Sequence, residues 1–257
     1  MRPAFALLLL LAPLAAHAND RCQFQAPRHL TADLAGVRGV RIEVNSYSLH
    51  LTGANGGKGL TLDGRACASS QELLDTLTVS QQRDGDQLVL KLGGERHLSF
   101  SLFGSSSTDL DVNVSVPSSL PVTVEVGSGD ADVNGVAQLD SHVGSGDLHV
   151  RRVAGRFATS VGSGDVDGGE VGSLELGSVG SGDFKLSGIK GDARIGSIGS
   201  GDVSLSNVGG SVHADTLGSG DLNVDDVAGD FQLGAKGSGD VNHHGVKGKV
   251  SVPNDDD

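Results

Sequence analysis

The tetrapeptide Gly-Ser-Gly-Asp occurs seven times, starting at Gly127, Gly144, Gly162, Gly180, Gly199, Gly218 and Gly237. The spacings are 17, 18, 18, 19, 19 and 19 residues. Such regularity demands a repeat architecture, in which each copy meets the same surroundings as the last. The residues between copies are patterned as well. Apolar alternates with polar after the turn, as in Phe184/Leu186 and Val203/Leu205. A branched aliphatic residue stands six positions after each Asp: Val136, Val153, Val171, Ile189, Val208, Val227 and Val246. A second alternating pair follows, such as Ala193/Ile195 and Phe231/Leu233.

Period-two alternation means strands with one face inward. Two short strands and two turns fill a unit of about 19 residues, and such a unit cannot bury its apolar face alone. Stacked copies bury a continuous aliphatic column and pair every backbone edge with the next rung. The expected fold is all-β: a single-stranded β-solenoid, of β-roll or β-helix type. Seven rungs at ~4.8 Å make a rod on the order of 30 Å long. Glycine is in excess, 40 of 257 residues, and 29 of these lie from Gly127 onward. The bias therefore reflects a periodic turn requirement, and positive φ in the turn is the expected reason. Aromatics are only 3%, which suits a narrow interior where large rings would have to stack on copies of themselves.

The register aligns Asp130, Asp147, Asp165, Asp183, Asp202, Asp221 and Asp240. Neighbouring carboxylates at ~4.8 Å repel by roughly 1 kcal/mol in water. Capping of backbone N–H groups by the Asp side chains offsets this. Calcium between rungs is the alternative, and makes these seven the candidate cation ligands. It is the weaker reading, because Ca²⁺ takes roughly six to eight oxygens and the second turn lacks the motif. No other metal or cofactor is expected: the nine His are scattered. His243-His244 point to opposite faces of a strand and, with Lys247, Lys249 and Pro253, read as a polar cap on the last rung.

Residues 1–18 read as a secretory signal peptide: Arg2, an apolar run from Phe5 to Leu14, and Ala16-His17-Ala18 before the cleavage point. The run is too short to span a bilayer, and no later stretch reads as transmembrane. Export leads to the periplasm, the cell surface or the medium. Removing Arg2 takes the net charge from −13 to −14, which disfavours nucleic acid and anionic lipid as partners. Cys22 and Cys67, the only cysteines, are expected to form one structural disulfide. Its loop would be worth on the order of 4 kcal/mol.

Residues 19–126 read as an N-terminal β region and cap, 127–252 as the solenoid and 253–257 as an acidic tail. Alternating runs at Val40–Val44, Leu49–Leu51, Leu88–Leu92, Leu98–Leu102, Leu110–Val116 and Val122–Val126 predict strands that pack on or continue the rod. Asp84-Gly85 predicts a hairpin, and Ser69-x-x-Glu72 opens a short helix.

No catalytic residues emerge. Gly-Ser-Gly is not a nucleophile elbow, and an acid repeated at every rung reflects turn geometry. Gly168-Gly169 departs from the repeat and marks either a bulge or a site. The segment Asp111–Pro117, then Leu120-Pro121-Val122-Thr123-Val124, then the Gly-Ser-Gly-Asp array resembles a bacterial family of putative adhesins, a domain of unknown function related to head GIN-domain β-solenoids. The resemblance spans residues 37 to 252 and implies an adhesin-like role without catalytic residues. The expected function is an exported, non-enzymatic β-solenoid that binds an envelope, surface or glycan component. A calcium-binding repeat module and a carbohydrate-active β-helix enzyme are the alternatives.

Overall fold

The computed structural model describes residues 22–94 and 107–253. The expected signal peptide, the strand over Leu98–Leu102 and the Asp255–Asp257 tail lie outside them. Among the described residues the N-terminal elements are β1 (Phe24–Asp33), β2 (Gly39–Asn45), β3 (Ser48–Ala54), β4 (Gly59–Ala68), α1 (Gln71–Thr76), β5 (Val79–Asp84), β6 (Gln87–Leu92) and β7 (Thr108–Pro117). Then come β8 (Pro121–Val126), β9 (Asp130–Asn134), β10 (Gln138–Val143), β11 (Asp147–Val161), β12 (Val166–Val179), β13 (Phe184–Ile189) and β14 (Ala193–Ile198). The chain continues through β15 (Val203–Val208), β16 (Val212–Leu217), β17 (Leu222–Val227), β18 (Phe231–Lys236), β19 (Val241–His244) and β20 (Val250–Ser251).

Alternate strands pair in parallel. β13 meets β15 with Phe184 beside Val203, and β14 meets β16 with Ala193 beside Val212. One ladder runs β3–β9–β11–β12–β13–β15–β17–β19, and the other β2–β8–β10–β11–β12–β14–β16–β18–β20. β11 and β12 round a corner and serve both ladders. This is the expected solenoid, with coils about 19 residues apart and about seven turns.

The N-terminal part continues the stack, in an order that the sequence pattern does not reveal. β2 and β3 form one coil, which lies between β6/β7 on one side and β8/β9 on the other. Beyond β6 and β7 the pairing turns antiparallel: β5 on β6, β4 on β7, and β1 on β4. These strands cover that end of the rod. The Cys22–Cys67 disulfide joins the start of the β1 segment to β4. The helix begins one residue later than expected, with Ser70 as its N-cap accepting from the Leu73 N–H. Arg28 donates to the Leu74 and Leu77 carbonyls at its other end.

Aliphatic columns fill the interior. Phe157, Phe184 and Phe231 are also fully buried, although no phenylalanine stacks on a copy of itself in its own column. Phe184 stands between Val166 and Val203, and Phe231 between Val212 and Val250. Phe157 and Phe184 meet across the two ladders with ring centroids 6.4 Å apart.

The expected reason for the turn glycines is corrected. None of the glycines in the seven tetrapeptides has positive φ. What excludes a side chain is the coil beneath: a Cβ on Gly146, Gly164, Gly182, Gly201, Gly220 or Gly239 would sit 1.7–2.0 Å from the carbonyl oxygen of the preceding coil's glycine. Positive φ instead marks the opposite corner. Gly135, Arg152, Glu170, Gly188, Asn207, Asp226 and Gly245, each five residues after the turn Asp, all take it, with φ of 53–78°.

Candidate functional site

The seven turn aspartates occupy one edge of the rod. The Asp183 N–H donates to Asp165 Oδ1 and the Asp221 N–H to Asp202 Oδ1, each at 2.9 Å. Asp165 and Asp240 donate to Asp147 and Asp221 at 3.3 Å. Each of these carboxylates caps the next coil's backbone, which offsets the like-charge contact. Lys185 adds a cation here. Its ammonium donates to Asp183 Oδ2 at 3.1 Å, and this hydrogen bond, with the fields of Asp183, Asp165 and Asp202, raises its pKa. Among the described residues, no group of three or more His, Cys, Asp or Glu side chains is placed to hold a metal ion. His243 faces the end of the core with its ring centroid 6.0 Å from that of Phe231.

On the outer face of the second ladder, Arg156 donates to Asp140 at 2.7 Å and to Glu175 at 2.6 Å, spanning the coils on either side of its own. Its pKa is raised, chiefly by the hydrogen bond to Glu175. The two carboxylates are thus engaged by one guanidinium.

The first ladder's outer face carries an alternating column. His50 meets Asp132 at 2.8 Å, and the next members, His149 and Asp167, are hydrogen-bonded to each other. Beside it, the neighbouring outward column reads Asn134, Arg151, Gly169, Ser187, Ser206 and Asp225.

Here the repeat's irregularity becomes a shape. Gly168 and Gly169 stay in register with Val150/Arg151 and Leu186/Ser187, so they form no bulge. A Cβ on Gly168 would lie 1.9 Å from the Val150 oxygen, and one on Gly169 would lie 2.3 Å from the Ser187 oxygen. Bare backbone at Gly169 and Gly188 leaves a cleft of about 920 Å³ walled by Arg151, Arg152, Lys185, Ser206 and Asp225. It adjoins a hollow of about 740 Å³ around the corner, lined by Arg152, Glu170, Lys190 and Asn207. Volumes of this order suit a small-molecule or oligomer subsite. The sequence flagged Gly168-Gly169. It did not show that Gly188, one coil later, shares the same depression.

The family model described as "Putative auto-transporter adhesin, head GIN domain" matches residues 66–246. The chain belongs to this family. No curated protein matches the sequence. Two solved structures share the fold over about nine-tenths of the chain. One is a putative adhesin from Bacteroides fragilis NCTC 9343, with TM-score 0.55, 15% identity, and coverage of 89% of this chain and 97% of that one. The other is a putative adhesin from Parabacteroides merdae ATCC 43184, with TM-score 0.53, 13% identity, and coverage of 90% and 97%. At such identities the likeness is one of fold. The cleft lies wholly within the stretch that the head GIN model matches. No helix among the described residues is long and apolar enough to cross a membrane.

Proposed function

We propose that this head GIN-family chain is an exported, non-enzymatic β-solenoid that binds an envelope, surface or glycan component through its outer sheet faces. The observation that carries the reading is the cleft over Gly169 and Gly188, a recess of ligand size on an otherwise repetitive surface. The family's adhesin description agrees with it. So does the signal-peptide reading of residues 1–18, which leaves a mature chain of an N-terminal cap region (19–126), the repeat body (127–252) and a short acidic tail. A rigid stack suits display, because ladder pairing holds outward side chains at fixed ~4.8 Å intervals.

Two measurements test the proposal together. Cell fractionation is expected to find the protein outside the cytoplasm. A deletion strain is expected to lose surface attachment, with recovery on complementation. A cytoplasmic protein, or unaltered attachment together with no binding to any envelope fraction or glycan array, overturns the reading.

A further inference from the structure

The charge of the cleft runs against that of the chain. The protein carries a net −13, yet the cleft and its corner hollow bring together Arg151, Arg152, Lys185 and Lys190 against Asp167, Glu170 and Asp225. Several of these are already engaged. Asp167 bonds to His149, Lys185 to Asp183, and Arg151 uses only its Nε on His149, at 2.7 Å. Among the described residues Arg152 and Lys190 form no ion pair, and they face the depression from the coils on either side of the one that carries Glu170. Elsewhere among the described residues Arg41 pairs with Glu125, Lys91 with Glu43, Arg156 with Asp140 and Glu175, and Arg194 with Asp192, while Lys58, Arg65, Lys247 and Lys249 form no ion pair but line neither the cleft nor the hollow.

The floor of the cleft carries hydroxyl and amide groups, while Val153, Ala154 and Ile189 line the corner hollow. Ser187, Ser204 and Ser206 line the floor, and the Asn207 amide donates to Ser187 Oγ at 3.1 Å. No Phe, Tyr or Trp lines it, and the one ring there is the His149 imidazole. Free guanidinium and ammonium groups select carboxylate or sulfate, while serine and asparagine side chains suit sugar hydroxyls.

We infer that the Gly168-Gly169/Gly188 cleft binds an acidic glycan. Arg151, Arg152 and Lys190 receive its carboxylate or sulfate groups, and Ser187, Ser206 and Asn207 its hydroxyls. This rests on the binding role proposed above and names the ligand class for that site.

Calorimetric titration with tetrasaccharides of oligogalacturonate, hyaluronan and heparin, and with carboxyl-reduced galacturonan as the neutral counterpart, tests it. At least one acidic tetrasaccharide is expected to bind at least tenfold more tightly than the neutral one, and to weaken as salt rises. Arg152→Glu and Lys190→Glu, both solvent-facing, are each expected to weaken that binding at least tenfold with unchanged melting temperature. Lys247→Glu, at the far end of the rod, is expected to leave it intact. Equal or tighter binding of the neutral sugar, weakened by Arg152→Glu, overturns the acidic class while leaving the binding role standing. Failure of all four sugars, or binding indifferent to both substitutions, overturns the assignment of this cleft. The binding role then stands or falls on the attachment assay alone.

Discussion

A methyl group on Gly182 would lie 1.8 Å from the carbonyl oxygen of Gly164. The two residues hold the same place in successive turns, and Gly182 is buried. Its α-carbon must approach the coil beneath more closely than any side chain permits. Gly182→Ala is therefore expected to lower unfolding stability by about 3 kcal/mol, the upper range for forced overpacking. Ser181→Ala, one residue away and solvent-exposed, should change it by less than about 0.5 kcal/mol. Chemical denaturation of both variants checks the contrast, which a turn merely needing flexible residues would not produce.

At the opposite corner the sign reverses. Glu170 takes φ of 61° while exposed and without an ion pair among the described residues. Glu170→Gly is expected to raise stability by up to about 1 kcal/mol, since left-handed backbone strains a residue with a Cβ. The same change at Arg151, whose backbone is extended, should be destabilising.

The aspartate ladder separates charge from hydrogen bonding. Asp202 Oδ1 accepts from the Asp221 N–H at 2.9 Å. Asp202→Ala removes the acceptor and is expected to cost about 1 kcal/mol. Asp202→Asn keeps an acceptor and lowers like-charge repulsion, so its melting temperature should match or exceed that of the parent. If the ladder instead held calcium, both variants would lose a calcium-dependent rise in melting temperature that the parent shows.

Lys185 gives the rod an alkaline limb. Its pKa is raised, first by the hydrogen bond to Asp183. A raised value in the folded state means stabilisation that is complete below the unfolded lysine value of about 10.4 and lost as pH rises through the folded value. The melting temperature should therefore fall more steeply above that pH in the parent than in Lys185→Gln. Parallel slopes would remove the role.

Reduction of Cys22–Cys67 is expected to lower stability by on the order of 4 kcal/mol in the chain-entropy account. The bond also anchors β1 at the covered end of the stack. Thermal melts with and without reductant, alongside a Cys22→Ser/Cys67→Ser double variant, check it.

Much of the architecture is legible because a repeat multiplies weak local signals. A single Val203/Leu205 alternation says little, whereas the same alternation in register at successive coils leaves only stacked parallel strands. The physical reason for the turn glycines was not legible. Positive φ and close backbone approach both select glycine, and only the neighbouring coil distinguishes them. Nor was the left-handed column. Arg152, Glu170, Asn207 and Asp226 share a backbone conformation and little chemistry, so composition carries no trace of it. The cleft was half legible: Gly168-Gly169 broke the pattern in sequence, but its depth comes from Gly188 in the next coil, a position already occupied by glycine at Gly135 and Gly245.

The interleaving of β2 and β3 between strands that follow them in sequence gives the rod a mechanical polarity. Tension applied at the C-terminal end would peel β20, β19 and then each earlier coil in turn, every step releasing about 19 residues or ~65 Å of extended chain. Peeling by single coils ends at β8/β9, because the coil beneath them is β2/β3, and β7, which precedes β8 in the chain, lies on the far side of that coil. The repeats would act as a sacrificial tether that lengthens under load, while the disulfide-tied end holds its shape as the grip.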